Sequence, residues 1–265
     1  MADSQCFSLT KTLLSSDAAG FRQATQSTFL QRAAEGKVPK DILGQWLAND
    51  RLYILGYIRG IGKTLSFLPL PETVPPPSQG NRETATTRLL DWLIDAAANI
   101  RREEKFFVDT ARKFGISVNL PADEEDGHVP DSAKLDGLRR FEALFGGLGP
   151  SASATLPWLE CAVVFYGTEK CYLEAWTWAR NRQRELGELK GGDADGGALR
   201  TEFIPNWTGT EFIAFVDQLG KIVDDAVVEC TRGAGDEVRN ELVERSLAKW
   251  RELLAAEKAF WPAMG

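Results

Sequence analysis

The chain has 265 residues, 43% of them hydrophobic and 26% charged, which suits one large or two small globular domains. A net charge of -7, from 31 basic against 38 acidic side chains, argues against a binder of phosphate backbones, and no clustered Lys/Arg face offsets it. No apolar run reaches the length of a bilayer span, the segment MADSQCFSLT lacks a signal-peptide core, and Cys6, Cys161, Cys171 and Cys230 form no CxxC pair, so reduced thiols and a cytoplasmic protein are expected.

In chain order, the first helical pattern is Ser16 to Gly36, with Ser16 or Asp17 as cap and Gly36 as terminator. Its expected buried side is Phe21, Ala24, Thr25, Phe29 and Ala33. Pro39 to Leu68 comes next. Pro39 suits a first turn, and Asp41 is favourable near the positive end of the helix dipole. Trp46, Leu47, Asp50, Tyr53, Ile54, Tyr57, Ile58 and Ile61 form one stripe, so Asp50 interrupts a row of rings.

Pro69 to Gly80 reads as a stiff proline-rich connector between helices. Thr84 to Phe114 is the third long pattern, and Ile100, Glu103 and Phe107 share a face, which turns Glu103 inward. A short helix is expected near Ala133 to Phe145. Gly146 to Ala154 is a Gly/Ser turn into the next long helix, Trp158 to Arg180. There Ala162, Tyr166, Glu169, Leu173 and Trp176 recur at spacings of three and four. Gly187 to Leu199 reads as a flexible, exposed loop.

In Asn206 to Phe212, Thr208 and Glu211 have the spacing of a capping box, opening a helix that runs to Cys230. The last helix, about Glu237 to Trp261, carries Glu257 between Leu253 and Trp261. No stretch alternates with period two and no internal repeat is present. The expected architecture is all-α, with seven or eight helices in one domain over residues 1–265.

Asp50, Glu169 and Glu257 thus each break an apolar stripe on a different long helix, and Glu103 is a weaker fourth. A carboxylate in an inward stripe costs several kcal/mol unless paired or neutralised. Brought together, these acids would line a pocket walled by Tyr53, Tyr57, Tyr166, Tyr172, Trp207 and Phe260. Rings with a few carboxylates suit a flat, nitrogen-bearing, partly cationic small molecule. A Glu among rings has a raised pKa and can act as acid or base near neutral pH. Trp46, Trp92, Trp158, Trp176 and Trp250 read instead as core, and Cys161 and Cys171 as buried small side chains. The single histidine, His128, lies in the acidic loop ADEEDGHVPDS. That excludes a zinc site built on His, speaks against haem ligation through His and leaves the chain without the two Glu-x-x-His pairs of a di-iron bundle, so no metal and no cofactor is expected.

The segments FRQATQSTFLQRAAEGKVPKDILGQWLANDRLYILGYIRG, YGTEKCYLEAW, NWTGTEFIAFV and AAEKAFWPA resemble, in the same order, those of the TenA/THI-4 family. The resemblance covers almost the whole chain and implies the haem-oxygenase-like helical fold. It implies that Asp50 bonds an aminopyrimidine ring beside Tyr53, and that Glu257, in E-x-x-F-W, is the catalytic glutamate. Trp207 stands where many members have Tyr. The best-known members carry a nucleophilic Cys in an LPC segment. This chain has no LPC and is similar to the branch lacking that Cys, where Glu169 takes the role. The activity implied by the resemblance is hydrolysis in thiamin salvage by carboxylate-assisted water attack, releasing ammonia from an aminopyrimidine or formate from its N-formylamino form. Homo-oligomers, dimer or tetramer, are common in the family. The stripe reading and the resemblance together give an expected catalytic set of Asp50, Glu169 and Glu257, and an expected substrate-binding set of Asp50, Tyr53, Tyr57, Glu103, Tyr166, Tyr172, Trp207 and Phe260. A non-catalytic pyrimidine-binding or regulatory relative is the main rival reading, and an oxidase of the same fold the second.

Overall fold

A computed structural model describes residues 7–73, 83–125, 127–187 and 191–264. Among them the regular structure is helical: α1 Leu9–Ser16, α2 Ala18–Thr25, α3 Thr28–Ala34, α4 Lys40–Phe67, α5 Ala85–Lys113, α6 Asp136–Gly146, α7 Leu159–Leu186, α8 Thr210–Thr231 and α9 Asp236–Phe260. A π-helical turn, Leu199–Phe203, runs into one short turn, Ile204–Asn206. The expected all-α architecture is present, with nine helices among the described residues against the expected seven or eight.

The count differs at the N-terminal end. The expected helix over 16–36 is two helices, because Ser27 accepts a hydrogen bond from the Leu30 amide at 3.2 Å and starts a new helix. Asp17 caps α2 through the Gly20 amide, and Gly36 turns the chain after α3 with a φ of 65°. Helix α1 has no separate signal in the sequence. Its cap Ser8, with Thr10, is held by the Asp224 carboxylate of α8.

Two local expectations are corrected. The loop before Leu199 is not flexible coil over its described part. Asp195 is buried and accepts from the amides of Gly197 and Leu199, while Gly196 and Gly197 adopt positive φ. Residues 188–190 of that loop, and the Pro69–Gly80 connector from residue 74, lie outside the described residues. Thr208 does not cap α8. Its hydroxyl donates to the Ile204 carbonyl and accepts from Arg180, and Gly209 occupies the cap.

Helix α4 packs against α5 and α6, α7 against α3, α8 and α9, and α9 also against α2 and α6. The five tryptophans expected in the core are all fully buried. Trp46 stacks on Trp261 and meets Trp176 and Trp207 edge-on, which ties α4, α7 and the end of α9 together. Asn49, one residue before Asp50, bridges Gln45 and the Leu135 amide, fixing the start of α6 against α4.

At Gly137 of α6 the backbone of α9 comes close. A β-carbon there would lie 2.3 Å from the Phe260 amide nitrogen and 2.4 Å from its α-carbon. Gly137→Ala must push α6 off the end of α9, which also carries Glu257. It is expected to destabilise by about 2–3 kcal/mol in a denaturant titration. A change under about 0.5 kcal/mol, the level of an ordinary surface substitution, would contradict this packing.

Candidate active site

The acids on three separate stripes converge. Asp50 of α4, Glu103 of α5 and Glu169 of α7 line one cavity of about 630 Å³. Tyr53, Tyr172, Phe106, Trp207, Phe212 and Phe215 supply its aromatic wall. Glu257 of α9 is not on the cavity surface but lies behind it, 4% exposed, close enough to raise the pKa of Tyr53 and to be raised itself by Asp50 and Glu169.

Helix geometry explains the meeting. Asp50 and Glu169 sit mid-helix and Glu257 in the last turn of α9, each flanked one turn away by rings: Trp46 and Tyr53 about Asp50, Tyr172 after Glu169, Phe260 after Glu257. The rings of Tyr53 and Phe260 pack at 5.8 Å, joining α4 to α9 beneath the cavity. Phe260 therefore supports the wall through Tyr53 rather than lining it.

The carboxylates differ in their partners. Tyr57 donates its hydroxyl to Glu169 at 2.5 Å, a short charge-assisted contact. Tyr57 is buried outside the cavity lining and reaches the site through this bond and through its ring contact with Tyr53 at 6.0 Å. Glu103 accepts from the Trp207 indole N–H at 2.5 Å and from the Asn206 amide at 3.1 and 3.2 Å. Asp50 is 5% exposed, and among the described residues no hydrogen bond from the protein lowers its pKa.

Burial dominates the electrostatics. It pushes Asp50 up from 3.8 to about 8, with the charges of Glu103 and Glu169 adding to the shift. Burial pushes Glu169 up to about 7, opposed by the Tyr57 hydrogen bond and reinforced by Glu103. Glu257 is pushed well above the usual carboxylate range, first by burial and then by Asp50 and Glu169. Burial also raises Glu103, while Trp207 and Asn206 pull it back down. The result is a cavity with one acid held near neutral pH, Glu169, and one above it, Asp50, a pairing that suits general base and acid roles.

Tyr166 does not join them. It lies roughly 60° round α7 from Glu169 and roughly 120° from Tyr172, at 100° per residue. Its ring packs on Gly220 of α8, where a β-carbon would meet it at 3.0 Å, and it faces Asp224. The cavity-facing stripe of α7 is narrower than its spacing suggests, and Tyr166 marks its edge. Cys171 is buried off the cavity, and burial with the neighbouring Glu257 pushes its thiol well up, away from a reactive thiolate. Asn206 is the residue that the sequence does not point to. It precedes Trp207 in NWTG, where the segment reads as a helix start rather than as a donor to Glu103.

A second depression of about 560 Å³, between the start of α4 and residues 115–121, carries none of these residues; its charged groups, Lys40 and Asp41, are exposed. Among the described residues no group of three His, Cys, Asp or Glu side chains is arranged to hold a metal ion, and no helix is long and apolar enough to cross a membrane.

The fold and site define a helical protein with the haem-oxygenase-like architecture and a buried carboxylate cavity. Comparison with known proteins agrees on the architecture. The chain is similar to a TenA homologue from Pyrococcus furiosus, at 22% identity and a TM-score of 0.65, over 96% of this chain and 98% of that one. It is similar also to a TenA homologue from P. horikoshii (16%, TM-score 0.61, over 96% and 99%). A TenA family transcription regulator from a Silicibacter species matches at 14% and 0.64, over 98% and 97%. In sequence, a Fusarium pseudograminearum protein named a probable transcription factor is 28% identical over 239 residues, 80% of this chain. The chain spans 44% of that relative's length. No family model matches the chain.

Proposed function

We propose that the chain belongs with the TenA/THI-4 proteins, in the branch lacking the nucleophilic Cys, and that it hydrolyses a thiamin-related aminopyrimidine in thiamin salvage. The observation that carries this reading is the meeting of Asp50 and Glu169 on one aromatic cavity, with Glu257 buried behind them. Asp50, holding its proton at neutral pH, binds the pyrimidine ring, which stacks among Tyr53, Tyr172, Trp207 and Phe212. Glu169, poised near 7 and oriented by Tyr57, takes a proton from water. The water oxygen bonds to the carbon bearing the leaving nitrogen as the carbon–nitrogen bond breaks. An ammonium substituent leaves as ammonia without further protonation, whereas a formamide nitrogen needs a proton from a neutral acid. Glu257 is that proton reserve, acting from behind the pair. The active unit is taken to be a homo-oligomer of this one domain.

The second reading is a pyrimidine-binding or regulatory protein without turnover. The names of the Fusarium and Silicibacter relatives favour it. The net charge of -7 speaks against direct nucleic-acid contact. A thermal-shift screen of thiamin-related pyrimidines separates ligands from non-ligands, since a ligand at 100 times its Kd stabilises by about 2.7 kcal/mol. Ligands that raise the Tm are then assayed for ammonia and formate. Release of either, lost in Glu169→Gln, supports the enzyme. Tight binding with neither product supports the second reading.

A further inference from the structure

We propose that the end of the cavity between α5 and α8 is a separate apolar subsite for the chain of an N-acylated aminopyrimidine, and that Ala96 limits the length of that chain. This rests on the amide-hydrolysing side of the function proposed above and names a substrate class for it: amides of short aliphatic acids larger than formic acid.

The cavity has two chemically different ends. Asp50, Glu103 and Glu169 gather at one of them. Beyond them the lining is Ile54 of α4, Ala96 and Ile100 of α5, and Phe212 and Phe215 of α8. On α5, Ile100 lies one turn and Ala96 two turns before Glu103, so this end extends about 10 Å along the helix. Ile54 and Ala96 are buried and form its floor, while Ile100, Phe212 and Phe215 are half-buried and form its sides. Its nearest polar groups are already engaged. Trp92 donates its indole N–H to the Phe215 carbonyl at 3.0 Å and stacks on the Phe215 ring at 4.5 Å. The Asn99 side chain accepts from Arg102, which is exposed. Half-buried rings and aliphatic side chains of this kind gain from covering by an apolar ligand group and from nothing else.

Size points the same way. A cavity of about 630 Å³ is one that drug-sized ligands fill, whereas an aminomethylpyrimidine has only about ten non-hydrogen atoms. Phe212 marks the division, since its ring meets Tyr172 of the ring-binding end at 6.4 Å and stands one turn before Phe215 on α8. Of the two substrates open under the proposed function, the free amine ends at its nitrogen and has no group to place beyond Phe212. An amide carries its acyl group there. A formyl group leaves the apolar end uncovered, and a longer aliphatic chain runs along it towards Ala96. Hydrolysis of such an amide joins the water oxygen to the acyl carbon and breaks the carbon–nitrogen bond. One water proton passes to the nitrogen, so a carboxylic acid and the free aminomethylpyrimidine leave. The chain lies away from the reacting bond and contributes binding rather than chemistry.

The test is isothermal titration of 4-amino-5-aminomethyl-2-methylpyrimidine acylated on its aminomethyl nitrogen, once with formyl and once with butanoyl. Glu169→Gln serves as the parent protein, so that binding is read with turnover suppressed. The butanoyl amide is expected to bind at least about tenfold more tightly than the formyl amide, against roughly fifty-fold if all three added carbons were fully buried. Adding Ala96→Phe fills the end of the arm and should bring the ratio close to one. Adding Ile100→Thr, at a half-buried position, should lower it severalfold, and decides the matter if Phe at position 96 prevents folding. A ratio near one in the parent overturns the proposal. So does a tenfold ratio that persists in Ala96→Phe or, where that variant does not fold, in Ile100→Thr. N-benzylformamide and N-benzylbutanamide, titrated in the same way, keep this inference apart from the proposed function. A chain-length gain in the benzyl pair with neither pyrimidine bound sinks the pyrimidine function and leaves the subsite standing; pyrimidines bound with a ratio near one do the reverse.

Discussion

Glu169→Gln is expected to reduce turnover by roughly 10²–10⁴-fold, the usual contribution of a positioned general base, while leaving the fold at least as stable as wild type at pH 8. The two halves of this expectation have one cause. Glu169 is a carboxylate that the fold would rather keep neutral, since burial pushes it up to about 7. Gln keeps its shape, still accepts from the Tyr57 hydroxyl, and removes a charge that the surroundings of Asp50 and Glu257 disfavour. A residue kept for stability would behave the other way, with lower stability and little change in rate. Tyr57→Phe should fall between: the base stays but loses its orienting bond, lowering kcat more than KM is raised. Steady-state kinetics with a denaturant titration on the same preparations checks both variants. Full activity in Glu169→Gln would remove Glu169 from the mechanism.

The second large expectation concerns pH. In the unfolded chain the carboxyls of Asp50 and Glu169 lose their protons near their ordinary values, 3.8 and 4.5. In the folded cavity they hold them up to about 8 and about 7. Between those limits the folded state binds more protons than the unfolded state, so stability is full at low pH and falls as pH rises. From about pH 4 to pH 8 the loss is on the order of several kcal/mol for these sites together. Asp50→Asn should flatten most of that slope. Its Tm is expected to match wild type near pH 4 and to exceed it at pH 8, with pyrimidine binding weakened. Equal Tm for wild type and variant across the whole range would mean that Asp50 is solvated in the folded protein, and its burial at the cavity would fall with it.

Much of this site is legible in the sequence because buried acids are rare and helical spacing is regular. Asp50 and Glu169 each stand out as one carboxylate in a row of rings, and the two stripes meet on one cavity. Periodicity fixes a face only to within a residue at its edges. It therefore includes Tyr166, which turns to α8, and places Glu257 on the cavity, whose lining does not include it. Local competition is less legible still. Ser27 splits a helix that reads as continuous, and Gly209 rather than Thr208 caps α8, because Arg180 and Ile204, distant or preceding in the chain, take the Thr208 hydroxyl. The ordered turn at Asp195 is hidden by its glycines, whose positive φ values serve a buried carboxylate rather than mobility. The Glu103 clamp cannot be read from one helix, since its donors stand about a hundred positions further on.

The most direct measurement is turnover of 4-amino-5-aminomethyl-2-methylpyrimidine in ¹⁸O-labelled water, followed by mass spectrometry of the organic product. Attack by water held on Glu169 predicts a hydroxymethyl product carrying one labelled oxygen, ammonia in equal amount, and both formed roughly 10²–10⁴-fold more slowly in Glu169→Gln. A pyrimidine that binds the cavity and emerges unchanged would contradict the hydrolase and leave a binding protein in its place.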